Sequence, residues 1–107
     1  MSSGVTAGNV FSQTVLEVSL TPSAVLTITA VEQTFTVPGV KLGDHVVVNP
    51  PGTTSGVVQC GARVSAADTI AIQYVNPTVG SVTPLAGTHR VLVTRRGGTA
   101  AASRVLV

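Results

Sequence analysis

Apolar and polar residues alternate along much of this chain. Over residues 31–37, Val31, Gln33, Phe35 and Val37 oppose Glu32, Thr34 and Thr36. That period of two is the mark of a half-buried strand. In "DTIAIQYV", Ile70, Ile72 and Tyr74 share one face, with Thr69, Ala71, Gln73 and Val75 on the other. In "HRVLVTR", Val91 and Val93 oppose Arg90, Leu92 and Thr94. "TVLEVSLTP" reads as a first strand ended by Pro22. "AVLTITA" sets Leu26, Ile28 and Ala30 against Thr27 and Thr29, and it runs into "VEQTFTV" with no turn signal. The pattern there predicts one long, bent strand, or a strand that changes sheets through a bulge. "HVVVNP" is a strand too evenly apolar to reveal its buried face, stopped by Pro50 and Pro51. "VVQCGARV" is another, with Gly61 marking a bulge. "PGVKLGD" and "NPTVGSVTPLAG" are loops, and "SAAD" fits a tight connection or a single helical turn.

No window sustains a helical period. Valine occurs 21 times, and its branched Cβ suits the pleated sheet. Six to eight short strands separated by turn signals predict an all-β fold, a β-sandwich or small β-barrel. The chain of 107 residues makes one domain. Its body is expected over 13–96, after a flexible N-terminal arm (1–12) and before a C-terminal arm or terminal strand (97–107).

Charge changes the picture. Only 9% of the residues are charged, against about 25% in an average soluble domain. Fifteen Thr and nine Ser supply neutral polar cover. Such a chain is expected to hide further surface in an oligomer or larger assembly. A net charge of +2, no Trp and only Phe11, Phe35 and Tyr74 give no nucleic-acid footprint. The opening "MSSGVTAGNVF" lacks a basic region followed by an apolar core, so no secretory signal is expected. No run of eighteen apolar residues predicts a membrane span. A soluble protein made in a cytoplasm is the expectation.

The residues that could carry chemistry are few. Glu17 and Glu32 alternate onto exposed strand faces, where solvated carboxylates are the plainer reading than an acid–base pair. Asp44 and His45 are neighbours on a strand, so their side chains point to opposite faces. One Cys and two His are too few for a zinc site. Cys60, in an apolar run, reads as a small buried side chain. No nucleophile elbow or phosphate-cradling glycine loop occurs. In "GARVSAADTIAIQYVNPT", Ser65 and Asp68 fix a turn, Arg63 can pair with Asp68 across it, and the Tyr74 hydroxyl needs a partner. No catalytic residue, cofactor or metal is expected. Arg95 and Arg96 read as solvated strand-end arginines or as contacts to an anionic partner. Arg104, Val105, Leu106 and Val107 form an apolar tail that either folds back into its own sheet or adds to a neighbour's. These six residues are the expected interface.

"VPGVKLGDHVVVNPP", "GARVSAADTIAIQYVNPT" and "PLAGTHRVLVTR" together resemble a module in small virion proteins of tailed bacteriophages. The likeness covers about residues 37–95 and leaves 1–36 outside it. It rests on a Gly-Asp turn before a Val-rich strand, an "RVSAAD"-type turn, and two alternating strands. The resemblance implies a β-structured capsid decoration (cement) or head-surface protein with no enzyme activity and no cofactor. Its implied partners are the major capsid protein and itself, as a homotrimer, with no nucleic acid and no membrane. The implied location is the virion surface. Tail and fibre proteins carry similar modules, so a receptor- or glycan-binding role is the alternative.

Overall fold

The computed structural model describes residues 10–96. They form six strands: β1 (Val10–Leu20), β2 (Thr29–Thr36), β3 (His45–Asn49), β4 (Val58–Ala66), β5 (Thr69–Asn76) and β6 (Gly87–Arg96). All pairings are antiparallel, in two three-stranded sheets ordered β1-β6-β3 and β2-β5-β4. The all-β expectation holds, and the form is a small sandwich. No helix occurs among the described residues, so none there is long and apolar enough to cross a membrane.

The central strands carry the core. From β5, Ile70, Ile72 and Tyr74 point inward and are buried; from β6, Val91 and Val93 do the same. Their inward faces are those the alternation predicts. Fully burying one such aliphatic side chain contributes about 1.5–3 kcal/mol. Ala71 is also buried, although it lies on the outer face of β5. It sits between Thr34 of β2 and Arg63 of β4, whose larger side chains flank it.

Four local readings are corrected. The stretch 24–28 is not strand: β2 starts only at Thr29. Ile28 has φ 45°, a left-handed value that a β-branched residue adopts at a cost and that breaks the extended run. Leu26 and Ile28 are therefore exposed rather than paired on an inner face. Cys60 is exposed, not buried. It is the extra residue where the β4–β5 register shifts between Gln59 and Gly61, so the bulge falls beside the predicted glycine and turns the thiol outward. β1 begins at Val10, inside the stretch expected as an arm. Arg63 does not pair with Asp68. It reaches across β5 to Glu32, with Nε and Nη2 donating to the two carboxylate oxygens at 2.8 and 2.9 Å.

The β2–β3 and β4–β5 connections meet at one end of the sandwich, together with the outer ends of β1 and β6. Val37–Val40 and Lys41–Asp44 make two successive turns, and Gly39 and Gly43 supply the positive φ that the third turn position requires. Asp68, at φ 58° in the two-residue β4–β5 turn, docks on the first of them. Its N–H donates to Val40 O at 2.9 Å, its carbonyl accepts from Val37 N at 2.8 Å, and its Oδ1 accepts from Gly39 N at 2.8 Å. Asp68 is spent on scaffold.

Arg95 closes this end. Its Nε and Nη2 donate to Asp44 Oδ1 and Oδ2 at 3.0 and 2.8 Å, and Nη2 also donates to Gly39 O at 2.9 Å. The Asp44 side chain is only 4% exposed. Hydrogen bonds from Arg95 hold its carboxyl below the usual aspartate range, with help from the Lys41 N–H. The lowered value means Asp44 favours folding above the unfolded-state pKa, and that contribution is lost as pH falls through the folded-state value. Asp44→Asn should lower the thermal midpoint at pH 7 by on the order of 5 °C. Melting curves of parent and variant should converge as the pH drops below about 4.

Candidate functional site

The opposite end gathers the connections 21–28, 50–57 and 77–86 around a cleft between the sheets. Asn76, the last residue of β5, anchors it and is fully buried. Its Nδ2 donates to Val25 O at 2.9 Å and to Gly80 O at 2.8 Å. Its Oδ1 accepts from Thr78 N at 2.9 Å and from Thr78 Oγ1 at 2.6 Å. Val25 and Val82 then exchange backbone hydrogen bonds at 2.8 and 3.1 Å. Thr27 Oγ1 donates to Thr78 O at 2.6 Å. On the other side, Gln33 forms a two-bond amide clamp on Ser23, at 2.8 and 2.9 Å. The loops are thus held by side chains where no sheet holds them, and they present Leu26, Ile28 and Val79 to solvent.

The cleft beside them measures about 350 Å³. Four strands contribute to it, the central β5 and β6 and the edge strands β3 and β4: Val48 comes from β3, Gln59 from β4, Tyr74 from β5 and His89 from β6. Val57, Val58, Pro50, Pro84 and Leu85 supply an apolar wall. At the start of β6, Gly87 has φ 144°, and a Cβ there would lie 3.2 Å from the Pro51 ring, so the glycine lets the 50–52 loop pack down. Gly87 O is also 2.9 Å from Nδ1 of the buried His89. A carbonyl only accepts, so Nδ1 carries the hydrogen in the neutral ring and Nε2 is the acceptor.

Two polar atoms in this cleft have no partner. Gln59 Nε2 donates to Val48 O at 2.8 Å, yet Gln59 Oε1 is buried and unbonded. The Tyr74 hydroxyl is buried and unbonded too, in a residue only 2% exposed. Gln59 and Tyr74 are direct cross-strand partners, so the two groups belong to one site. Burial pushes the Tyr74 phenol above its ordinary pKa. The expected partner for this hydroxyl is missing.

The sequence-predicted interface residues are elsewhere. Arg95 is engaged in the clamp at the far end, with Asp44 and Gly39 as partners rather than solvent. Arg96 is exposed at the end of β6, opposite Val10. Arg104, Val105, Leu106 and Val107 lie outside the described residues. Glu17 is exposed and 3.4 Å from Arg90, and Glu32 is held below its usual pKa by its hydrogen bonds from Arg63. Among the described residues no three His, Cys, Asp or Glu side chains converge on a point that could hold a metal ion. His45 begins β3, whereas His89 lies two residues inside β6 and faces the core.

The outer faces carry a second feature. Val15, Leu92 and Val47 are aligned in register across β1, β6 and β3. Val15 and Val47 are each 59% exposed. This row lies between two polar ones, Gln13-Thr94-His45 and Glu17-Arg90-Asn49. On the other sheet Ala30, Val75 and Val58 align across β2, β5 and β4, next to the exposed Ile28.

No family model matches this chain, and no curated protein or solved structure matches it either.

Asn76→Ala should destabilise the fold by about 3 kcal/mol, because it removes every hydrogen bond that the buried side chain makes to the two loops and leaves Thr78 N without its partner. Chemical denaturation reads this directly. Tyr74→Phe should do the reverse. Removing a buried hydroxyl with no partner should raise the unfolding free energy by about 1 kcal/mol.

Proposed function

We propose that this protein is a non-catalytic assembly unit, a virion structural protein that decorates the capsid shell by binding the major capsid protein. The observation that carries the reading is the pair of register-aligned apolar rows, one on each outer face of the sandwich. Exposed apolar side chains scattered singly are ordinary, but a row that spans a whole sheet between polar rows has the form of an interface core with a polar rim. A body with an apolar row on each outer face, one of them flanked by polar rows on both sides, can contact a neighbour on either side. The state of the charged groups supports the same reading. Each described carboxylate is tied to an arginine or to turn backbone, which leaves them to structural tasks. The setting on a tailed-phage particle comes from the sequence resemblance over residues 37–95.

A receptor-binding module of a tail or fibre is the second reading. The cleft favours it, because the loops that form it lie at the end of the sandwich away from the outer ends of β1 and β6. Glycan recognition by ring stacking is poorly served: Tyr74 is buried and Phe35 packs against the core.

Light scattering on the purified chain and co-sedimentation with assembled shells of its capsid protein test the proposal. The parent should form a closed oligomer, a trimer on the decoration reading, and sediment with shells. Val15→Asp with Val47→Asp places carboxylates in one apolar row and should weaken association about tenfold or more while the fold persists. Truncation after Arg96 should weaken attachment without loss of the sandwich. A parent chain that stays monomeric and leaves shells bare would refute the reading.

A further inference from the structure

We infer that the open edge of β2 takes up residues 102–107 of the same chain as an added antiparallel strand. The inference starts from the edges of the sandwich. On one side β3 and β4 lie against each other, and Gln59 Nε2 joins them by donating to Val48 O at 2.8 Å. β3 is short, and β4 carries two register shifts, both of which blunt an edge. On the other side no hydrogen bond between described residues joins β1 to β2. β2 keeps one unbroken register with β5 and contains no proline and no lysine. Such an edge is a template for another strand.

The ladder tells which groups that edge offers. Val37 N donates to Asp68 O at 2.8 Å, so the Val37 backbone faces the β5 side. Alternation turns Val31, Gln33 and Phe35 the same way and leaves the N–H and C=O of Glu32, Thr34 and Thr36 on the open edge. None of these groups bonds to another described residue. The inner face beside the edge is unfinished too. Val31 and Phe35 of β2, with Leu16 and Val18 of β1, pack against the core yet remain only half-buried.

The chain that follows β6 fits this vacancy in position, direction and pattern. It leaves Arg96 at the end of the sandwich where β2 stops, since Arg95 Nη2 donates to Gly39 O, three residues past Thr36. β6 and β2 both run toward that end, so a reversal at Gly97-Gly98 sends the chain antiparallel to β2 and parallel to β1. Antiparallel ladders are the more stable per residue, which selects β2. The step from β6 to a place beyond β2 crosses one sheet spacing and two strand spacings, about 14 Å. Residues 97–101 span it at about 3.3 Å each. Charge then sets the face. Glu32 is the one charged residue of β2, on its outer side, and Arg104 is the one charged residue of 97–107. With Arg104 opposite Thr34 and diagonal to Glu32, Val105 and Val107 turn inward opposite Gln33 and Val31. Glu32 accepts from Arg63 and keeps acceptor capacity for a second guanidinium. The inference does not rest on the assembly proposal, because every contact lies within one chain.

Hydrogen exchange on the ¹⁵N-labelled full chain tests it. The Glu32 and Thr34 amides should be protected as Gln33 and Phe35 are, although β5 offers them no acceptor. Val105→Asp with Val107→Asp should speed exchange at Glu32 and Thr34 about tenfold or more. Gln33 and Phe35 should stay protected in that variant, which shows the sandwich intact. Contacts from the Val105 and Val107 methyls to Val31 and Phe35 should persist within labelled molecules diluted into unlabelled protein. Three outcomes overturn the inference. One is a parent chain whose Glu32 and Thr34 amides exchange as fast as exposed loops. Another is protection that the double variant leaves unchanged. The third is loss of the methyl contacts on dilution, which would mean that the strand comes from a neighbouring copy.

Discussion

Asn76 is the residue on which the long-loop end of this sandwich depends. It is fully buried at the end of the most buried strand, and all of its side-chain capacity is spent on the connections 21–28 and 77–86. A buried amide is stable only when each of its groups is bonded, and here each is. Besides Asn76, the loops are held by the Gln33 clamp on Ser23, the Val25–Val82 bridge that joins them to each other and a few threonine contacts. Through Asn76 the exposed apolar tip and one wall of the cleft acquire fixed positions.

The two ends of the sandwich manage polarity differently. At the end that holds the Arg95–Asp44 clamp, charge is neutralised over short distances, and turn backbone takes up what remains. Around the cleft, neutral amides do the joining, and two acceptor or donor groups are left over. Surplus buried polarity costs stability, and proteins tend to tolerate such a cost where a site has a use for it. The two ends thus differ in how completely their buried polar groups are bonded. The apolar rows on the outer sheet faces concern a different kind of contact, broad rather than deep.

Much of the architecture was legible in the residues. The alternation over 31–37, 69–75 and 90–94 states which side chains face inward, because successive side chains on a strand must point oppositely. Pro50, Pro51 and Pro77 end strands because they lack the donor that a ladder needs. The cleft was not legible. Val48, Gln59, Tyr74 and His89 lie on four different strands, and nothing local to any of them says that they share a level of the sandwich. Gln59 stands in the run "VVQCGARV" with no neighbouring residue that marks it. The only local signal was the Tyr74 hydroxyl, which on an inward-facing position had to find a partner.

Local misreadings have a common cause. "AVLTITA" has strand composition, yet Ile28 adopts a left-handed φ because the backbone there bonds to Thr78 O, a residue fifty positions away. Arg63 chose Glu32 over the nearer-in-sequence Asp68, because Asp68 was already committed to the turn at Gly39 and Val40. Cys60 is outward because one extra residue in β4 reverses the alternation. By itself, then, the amino-acid order determined the strand content, the inward faces of the regular strands and the scarcity of charge, since these follow from side-chain period and composition. Which polar groups found partners, which loops were pinned and where a cavity remained were decided only by tertiary structure, because hydrogen bonds between distant residues are competitive and the winner depends on what folding brings within about 3 Å.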